Sequence, residues 1–333
     1  MGNLDERRSM TVLPVDPAGL RPDPAALLVA VLADILFGDP PNAVHPVAWM
    51  GRLANVLVRR APRAGRGRQL LAGVLIVGLV VGISVATVVT SVGWAQVVAP
   101  ALAFFLGAAV LKCTFAIKGL GDAGRVVGAA LRQGRLADAR AGLASLCSRD
   151  AASLDESQVA AAAIESLAEN LSDSFVAPLV AYALFGLPGA VAYRAVNTLD
   201  AMIGYRGRYE YLGKAAARLD DLLNLIPARL SAGLLLVAGA LTRADVAGGI
   251  RVLGRDRRAT ASPNAGWPMA TMAGLLGVTL EKPGHYRLGD GPAAVAPSDI
   301  DRAWRIVAVA AALAAVVAVI AAAARHLLGS PPS

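Results

Sequence analysis

From Gln69 to Leu111 the chain carries no charged residue at all. A membrane-crossing helix needs about 20 apolar residues, since the bilayer core is about 30 Å thick and a helix rises about 1.5 Å per residue. The run therefore predicts two crossings, at about 69–92 and 94–117, joined near Gly93-Trp94. A third is expected from Ile306–Ala324, widened to about 303–328. Three weaker segments follow the same palette. The segment 25–38 is short and contains Asp34; 174–196 is interrupted by Gly186-Leu187-Pro188-Gly189; 222–242 holds only a brief apolar stretch between Arg229 and Arg243. Gly and Pro inside an apolar run fit a helical hairpin that enters and leaves on one face.

The expected fold is all-α: a polytopic helical integral membrane protein, with a polar N-terminal segment at 1–24 and one membrane-embedded domain at 25–330. Composition agrees, with 56% hydrophobic residues, 17% charged and only 5% aromatic. That leaves Ala, Val, Leu and Gly as packing material, as in membrane helix bundles. The net charge of +8 does not indicate nucleic acid, because the basic residues sit between apolar segments. The loop at 52–68 alone holds Arg52, Arg59, Arg60, Arg63, Arg66 and Arg68; the loops at 118–173 and 242–302 are similarly rich. The positive-inside rule puts all three on the cytoplasmic face of the cell membrane. The segments 174–193 and 222–242 must then cross an even number of times between them, so at least one is re-entrant or interfacial. Residues 1–22 are polar and do not read as a cleavable signal peptide. Cys113 and Cys147 read as reduced, and offer no thiolate metal site with three scattered histidines. Within 118–173, helices are expected at Asp122–Leu131, Arg135–Leu146 and from a Ser153-x-x-Glu156 capping box to Leu171.

Four polar clusters stand between the apolar segments, and the working residues are expected in these loops rather than in the spans. The first, Asp39-Pro-Pro-Asn42 followed by His45-Pro46 and Trp49, has a path stiffened by proline; Asp39 and Asn42 would equally serve as turn caps. The second places Glu165, Glu169 and Asp173 at i, i+4 and i+8 on one helix face. No lysine or arginine lies between Asp150 and Arg194 to offset them, so Mg²⁺, a remote arginine or plain solvation must. The third runs through Arg194, Asn197, Asp200, Tyr205, Arg206, Arg208, Tyr209, Arg218, Asp220, Asp221, Asn224 and Arg229. Oxygen ligands and guanidinium forks at this density suit a Mg²⁺–phosphate site or a structural polar network. The fourth contains Ser262-Pro-Asn264-Ala-Gly-Trp267-Pro, whose turn could present backbone N–H groups to an anion. Gly119-x-Gly121-x-x-Gly124 matches a dinucleotide fingerprint, but it follows a membrane helix instead of a strand and carries no weight.

Taken in order, Asp-Pro-Pro…His-Pro-Val…Met-Gly, Glu-Ser-x-Ala-Glu-Asn, Asn197-Thr-Leu-Asp-Ala-Met-Ile-Gly-Tyr205, Ala217-Arg-Leu-Asp-Asp-Leu-Leu-Asn224, Ile226-Pro-Ala-Arg-Leu230 and Ser-Pro-Asn-Ala-Gly-Trp-Pro closely resemble the membrane-bound adenosylcobinamide-phosphate synthase family of cobalamin biosynthesis. The resemblance covers about residues 25–290. It departs at Cys147-Ser-Arg-Asp-Ala151, where a threonine is expected after Arg-Asp, and at Asp173-Ser174, where Asp-Gly is frequent; neither removes an acid or a base. The resemblance implies ATP- and Mg²⁺-dependent amide formation between (R)-1-amino-2-propanol phosphate, or free aminopropanol, and the free propionate of adenosylcobyric acid. An ATP-dependent ligase converts such a carboxylate to an acyl phosphate before the amine attacks. On this reading Glu165, Glu169, Asp173, Asp200, Asp220 and Asp221 supply the metal ligands. Arg194, Arg206 and Arg218 hold phosphate groups, with Asn197, Tyr205, Asn224, Ser262 and Trp267 also at the substrate. His45 takes a proton, with Asp39 beside it, and Asn264 supports an oxyanion. The corrinoid would lie over Trp49, Tyr205, Tyr209 and Trp267. A homo-oligomer or partners among other cobalamin-pathway proteins stay open. The rival enzyme is a polytopic prenyl- or alcohol-phosphotransferase, for which Asp220-Asp221-x-x-Asn224 lacks a second aspartate-rich motif. The rival from another class is a transporter, which places polar groups inside its spans.

Overall fold

The computed structural model describes residues 19–329 except 148–149, 206 and 292–293, with side chains described up to Arg325. Thirteen helices and one short hairpin follow in order among these residues. They are α1 (Pro24–Phe37), α2 (Pro46–Arg60), α3 (Arg66–Val98), α4 (Pro100–Lys112), α5 (Lys118–Arg132), α6 (Leu136–Leu143) and α7 (Glu156–Leu171). A π-turn at Ser172–Val176 leads into α8 (Ala177–Ile203), then α9 (Lys214–Leu223), α10 (Leu225–Leu241), α11 (Val246–Asp256) and α12 (Gly266–Leu276). Strands β1 (Leu280–Lys282) and β2 (Tyr286–Leu288) pair antiparallel before α13 (Pro297–Gly329). The all-α polytopic membrane architecture is as expected. Arg66–Val98, Glu156–Ile203 and Pro297–Arg325 are long and apolar enough to cross a bilayer, and α9 with α10, bent by 46°, would make a fourth crossing.

Several boundaries move. The uncharged run does not break at Gly93-Trp94: α3 continues to Val98, and the break falls at Ala99-Pro100. Glycine inside a helix costs only about 1 kcal/mol, whereas proline lacks the N–H and its ring clashes with the preceding turn. The expected crossing at 94–117 is thus α4 alone, 13 residues long. At about 20 Å it is too short to cross unaided, and it packs instead against α1, α3 and α8. The capping box slides by two residues to Asp155 and Gln158, since aspartate ranks with serine as an N-cap. The glycines of Gly119–Gly124 sit on α5, where a Cβ at Gly121 would lie 2.3 Å from the Trp304 ring. They allow α5 to pack against α13, with no strand before them.

The segment with the internal Gly and Pro is a hairpin. Its backbone is helical through Ile203 except at Gly186, which has φ 68° and ψ −161°. A straight helix would set Tyr193 about 30 Å beyond Asp173, yet the Tyr193 hydroxyl lies 3.0 Å from the Asp173 carbonyl oxygen. The chain runs out along Ala177–Phe185, reverses at Gly186 and comes back. A Cβ at Gly186 would sit 2.0 Å from the Leu20 carbonyl oxygen, and that same oxygen accepts the Leu187 N–H at 2.9 Å. The turn is therefore closed by the segment ahead of α1. Tyr182 is fixed to the same segment, accepting the Asp23 N–H at 2.9 Å.

Candidate functional site

The hairpin brings the ends of its two limbs together, and the polar clusters meet there. Tyr193 is one turn below Asn197 on the returning limb of α8, with Arg194 between them on a neighbouring face. The Tyr193 hydroxyl also lies 2.9 Å from Asn224 Oδ1. Asn224 Nδ2 donates to Asp220 Oδ2 at 2.9 Å, and Asn197 Nδ2 donates to Asp220 Oδ1 at 3.3 Å. Asp220 is thereby held by one amide on each oxygen while 8% exposed. Each oxygen keeps a second lone pair for another donor or a cation. Asp173 lies within coulombic reach of Glu169, Asp200 and Asp220, and Asp200 within reach of Asp221.

Arg194 is the cation set among these acids. It donates through Nη1 to Asn197 Oδ1 at 3.1 Å, while its Nε is buried with no hydrogen-bond partner. The charges of Asp39, Asp173 and Asp220 all act on it, so the first polar cluster lies within electrostatic reach of the third. An unmade hydrogen bond on a buried guanidinium costs on the order of 1–3 kcal/mol, which an anionic ligand would recover.

Around Asp39 the structure adds two residues that the sequence reading passed over. Lys112 is 6% exposed and lies between two carboxylates, hydrogen-bonded to Asp39 and 3.3 Å from Asp34 Oδ1. Asp34 is fully buried and accepts the Ile117 and Lys118 N–H groups, both at 3.0 Å, through its other oxygen. It therefore caps α5 and anchors the lysine at once. Burial alone would raise the Asp39 pKa, but the neighbouring His45 ring and the hydrogen bond from Lys112 hold it at about 2. The signal was available: Asp34 and Lys112 are ionisable residues in otherwise apolar segments, which need a partner when buried.

His45 has a different position from the one expected. Its Nδ1 accepts the Val47 N–H at 3.1 Å and so caps α2. Nε2, 3.7 Å from Asp39 Oδ1, must then carry the proton of the neutral ring. In this geometry the Nδ1 lone pair is engaged by the helix cap. Asn264 is likewise engaged: Oδ1 accepts from Arg229 at 2.7 Å and Nδ2 donates to the Asp221 carbonyl at 2.7 Å. Its own N–H and that of Ala265 go to the Ser262 hydroxyl. The turn expected to meet an anion instead clasps the end of α9, with Ser262 Oγ 3.5 Å from Asp221 Oδ1.

The aromatic platform is dispersed. Guanidinium carbons of Arg229 and Arg257 lie 4.5 and 5.5 Å from the Trp267 ring centroid, so its faces are already in use. Trp49 and Tyr205 are about half exposed, and Tyr209 stacks beneath Arg208 at 5.2 Å. Glu165 is buried within α7 and Glu169 is half-buried. The π-turn at Ser172–Val176 contains Asp173, so the last member of the expected i, i+4, i+8 stripe lies off the regular α-helix. Arg218 is exposed and near enough to Asp221 to act on its charge. Arg206 lies outside the described residues. Of the candidate residues, Glu169, Arg194, Asn197, Asp200 and Asp220 lie on helices α7, α8 and α9.

Among the described residues, no three His, Cys, Asp or Glu side chains converge as a ready metal cage. Mg²⁺ does not require one, because it is commonly held by one or two carboxylates together with waters and substrate phosphates. The all-oxygen donor set of Asp173, Asp200 and Asp220 beside the orphaned Arg194 Nε fits that mode.

A family model described as CobD/Cbib protein matches residues 27–307. The chain is 46% identical over 273 residues to cobalamin biosynthesis protein CobD of Dehalococcoides mccartyi, covering 82% of this chain and 89% of that protein. It is 38% identical over 304 residues to the CobD protein of Klebsiella pneumoniae, covering 87% and 94%. A probable CobD of Methanothermobacter thermautotrophicus is 41% identical over 268 residues, covering 80% and 86%. No solved structure matches the chain.

Proposed function

Because the chain belongs to the CobD/Cbib family and thus acts in cobalamin biosynthesis, we propose that it is the ATP-dependent ligase joining aminopropanol phosphate, or free aminopropanol, to the free propionate of adenosylcobyric acid. The observation that carries this reading is the buried Arg194, whose Nε has no hydrogen-bond partner among the described residues, within electrostatic reach of Asp39, Asp173 and Asp220. A ligase of this kind brings together a carboxylate, an amine and a triphosphate, all charged, and must hold them away from water. A buried guanidinium near several acids, with an acid–lysine pair in reach, suits such a set.

Mg²⁺ bound through Asp173, Asp200 or Asp220 would neutralise phosphate charge. Arg194 supplies fixed positive charge at the transferring phosphoryl group or at the carboxylate it activates. Asn197 and Asn224 hold Asp220 by both oxygens, so its orientation is set before substrate arrives. Lys112 keeps Asp39 ionised, and the Asp39 carboxylate, too weak a base to deprotonate an ammonium, orients the amine substrate by its charge. His45 fixes the start of α2 beneath them. The catalytic end of the bundle faces the cytoplasm in this reading, where the arginine-rich segments 52–68 and 242–302 lie.

The test is direct. The purified chain in nanodiscs, given adenosylcobyric acid, Mg-ATP and either amine, should yield the amide by mass spectrometry, and Asp220→Asn should abolish it. Absence of product with both amines would overturn the assignment.

A further inference from the structure

A cavity of about 660 Å³ opens where the end of α2, the turn into α3 and the loop before α9 meet. Its size falls within the usual range for small-molecule sites, about 300–1,000 Å³. Arg59, Arg63 and Arg208 reach its wall, with Asn55, Gln69 and Tyr209 beside them. Among the described residues no acidic side chain lines it; Glu210, in the same loop, is not on the wall. Among the described residues none of the three arginines pairs with a carboxylate: Arg59 Nε donates to Asn55 Oδ1 at 3.3 Å, and Arg208 stacks on Tyr209. The segment 52–68 that supplies two of them holds six arginines and no acid.

Three guanidinium groups facing one concavity without an acid repel one another until something anionic enters. Guanidinium forks match phosphate oxygens in two-bond geometry. The cavity shares no residue with the carboxylate centre, although Arg208 and Tyr209 belong to the chain linking Asp200 to Asp220. Next to it α3 begins with exposed Leu70, Leu71 and Val74, so the cavity opens where an apolar helix surface gives way to a basic one.

We propose that this cavity is a phosphate-binding site separate from the carboxylate centre, held by Arg59, Arg63 and Arg208. Its occupant is a phosphate group with access either from solution, as in a nucleotide polyphosphate, or from the bilayer edge, as in an anionic lipid headgroup. The inference stands on the cavity alone and does not depend on the ligase reading.

The experiment uses the full chain, first in uncharged detergent with inorganic tripolyphosphate followed by calorimetry. Wild type and Asp138→Asn, which removes only the exposed α6 partner of Arg135, should bind alike. Arg63→Ala with Arg208→Ala should bind about a hundredfold more weakly, at about tenfold per charge-assisted pair. Lysine at both positions should recover part of the loss, and all variants should elute and unfold like wild type. The second arm repeats the titration in nanodiscs of phosphatidylcholine with and without phosphatidylglycerol. Loss of tripolyphosphate binding only with phosphatidylglycerol assigns the cavity to a lipid headgroup; unchanged binding assigns it to a soluble phosphate. No binding by wild type in detergent and no arginine-dependent thermal shift from phosphatidylglycerol would overturn the proposal, as would a double-alanine variant that binds like wild type.

Discussion

Lys112→Met tests the ion cluster on which the first half of the site is built. The substitution keeps the length and apolar character of the side chain but removes the cation between Asp34 and Asp39. Removing one partner of a buried pair costs about 3–5 kcal/mol, because the other charge is left uncompensated. Two facts set the expected value at the low end. Asp34 keeps two backbone N–H donors, and Asp39 has 39% of its side chain exposed, where water screens it. We expect a loss of about 3 kcal/mol, borne mainly by the fully buried Asp34. Thermal unfolding in detergent at fixed scan rate should fall by several degrees. Asp34→Asn in the same chain should restore at least half of that, since a neutral amide oxygen still accepts the Ile117 and Lys118 N–H groups. A Lys112→Met protein that melts with wild type, or a double variant whose losses simply add, would refute the reasoning.

The other expectations follow from the same geometry. His45→Asn should keep the cap on α2 and leave ligation within about tenfold of wild type; a general base would cost about 10²–10⁴-fold, so a loss of that size returns His45 to the chemistry. Gly186→Ala forces a left-handed φ on a Cβ that meets the Leu20 carbonyl, costing about 1–3 kcal/mol for the backbone alone, seen as a lower melting temperature. Asp39 titrates at about 2 against an ordinary 3.8. A depressed carboxylate stabilises fully above its unfolded value and loses that contribution as pH falls through its folded value. Wild type should therefore lose stability between about pH 4 and 2, and Asp39→Asn should flatten that part of a melting-versus-pH curve.

The uncharged run made the membrane class legible, because nothing but lipid tolerates so long a stretch without charge. The Gly186-Leu-Pro-Gly189 interruption likewise announced the hairpin, since the residue types that break a helix are local. What stayed hidden was non-local. Lys112 reads in the sequence as the stop of an apolar run; only the fold brings Asp34 and Asp39 to it. His45 shows the same limit from the other side. Its residue type suggested a base, while the direction of one ring nitrogen, visible only in space, assigns it to a cap. Asp220 and its partner Asn224, one turn on, share a single stretch of sequence, but Asn197 reaches Asp220 only through the hairpin.

The reversal at Gly186 also imposes an order on biogenesis. Its backbone is closed by the Leu20 carbonyl and its outgoing limb is tied to Asp23, residues that leave the ribosome well before it does. The limb carrying Arg194 and Asn197 can settle only against a strap already waiting, so the centre assembles late, by the docking of a middle segment onto an early one. A truncation that spares every catalytic side chain but removes residues 19–23 should then leave an inserted protein that never matures.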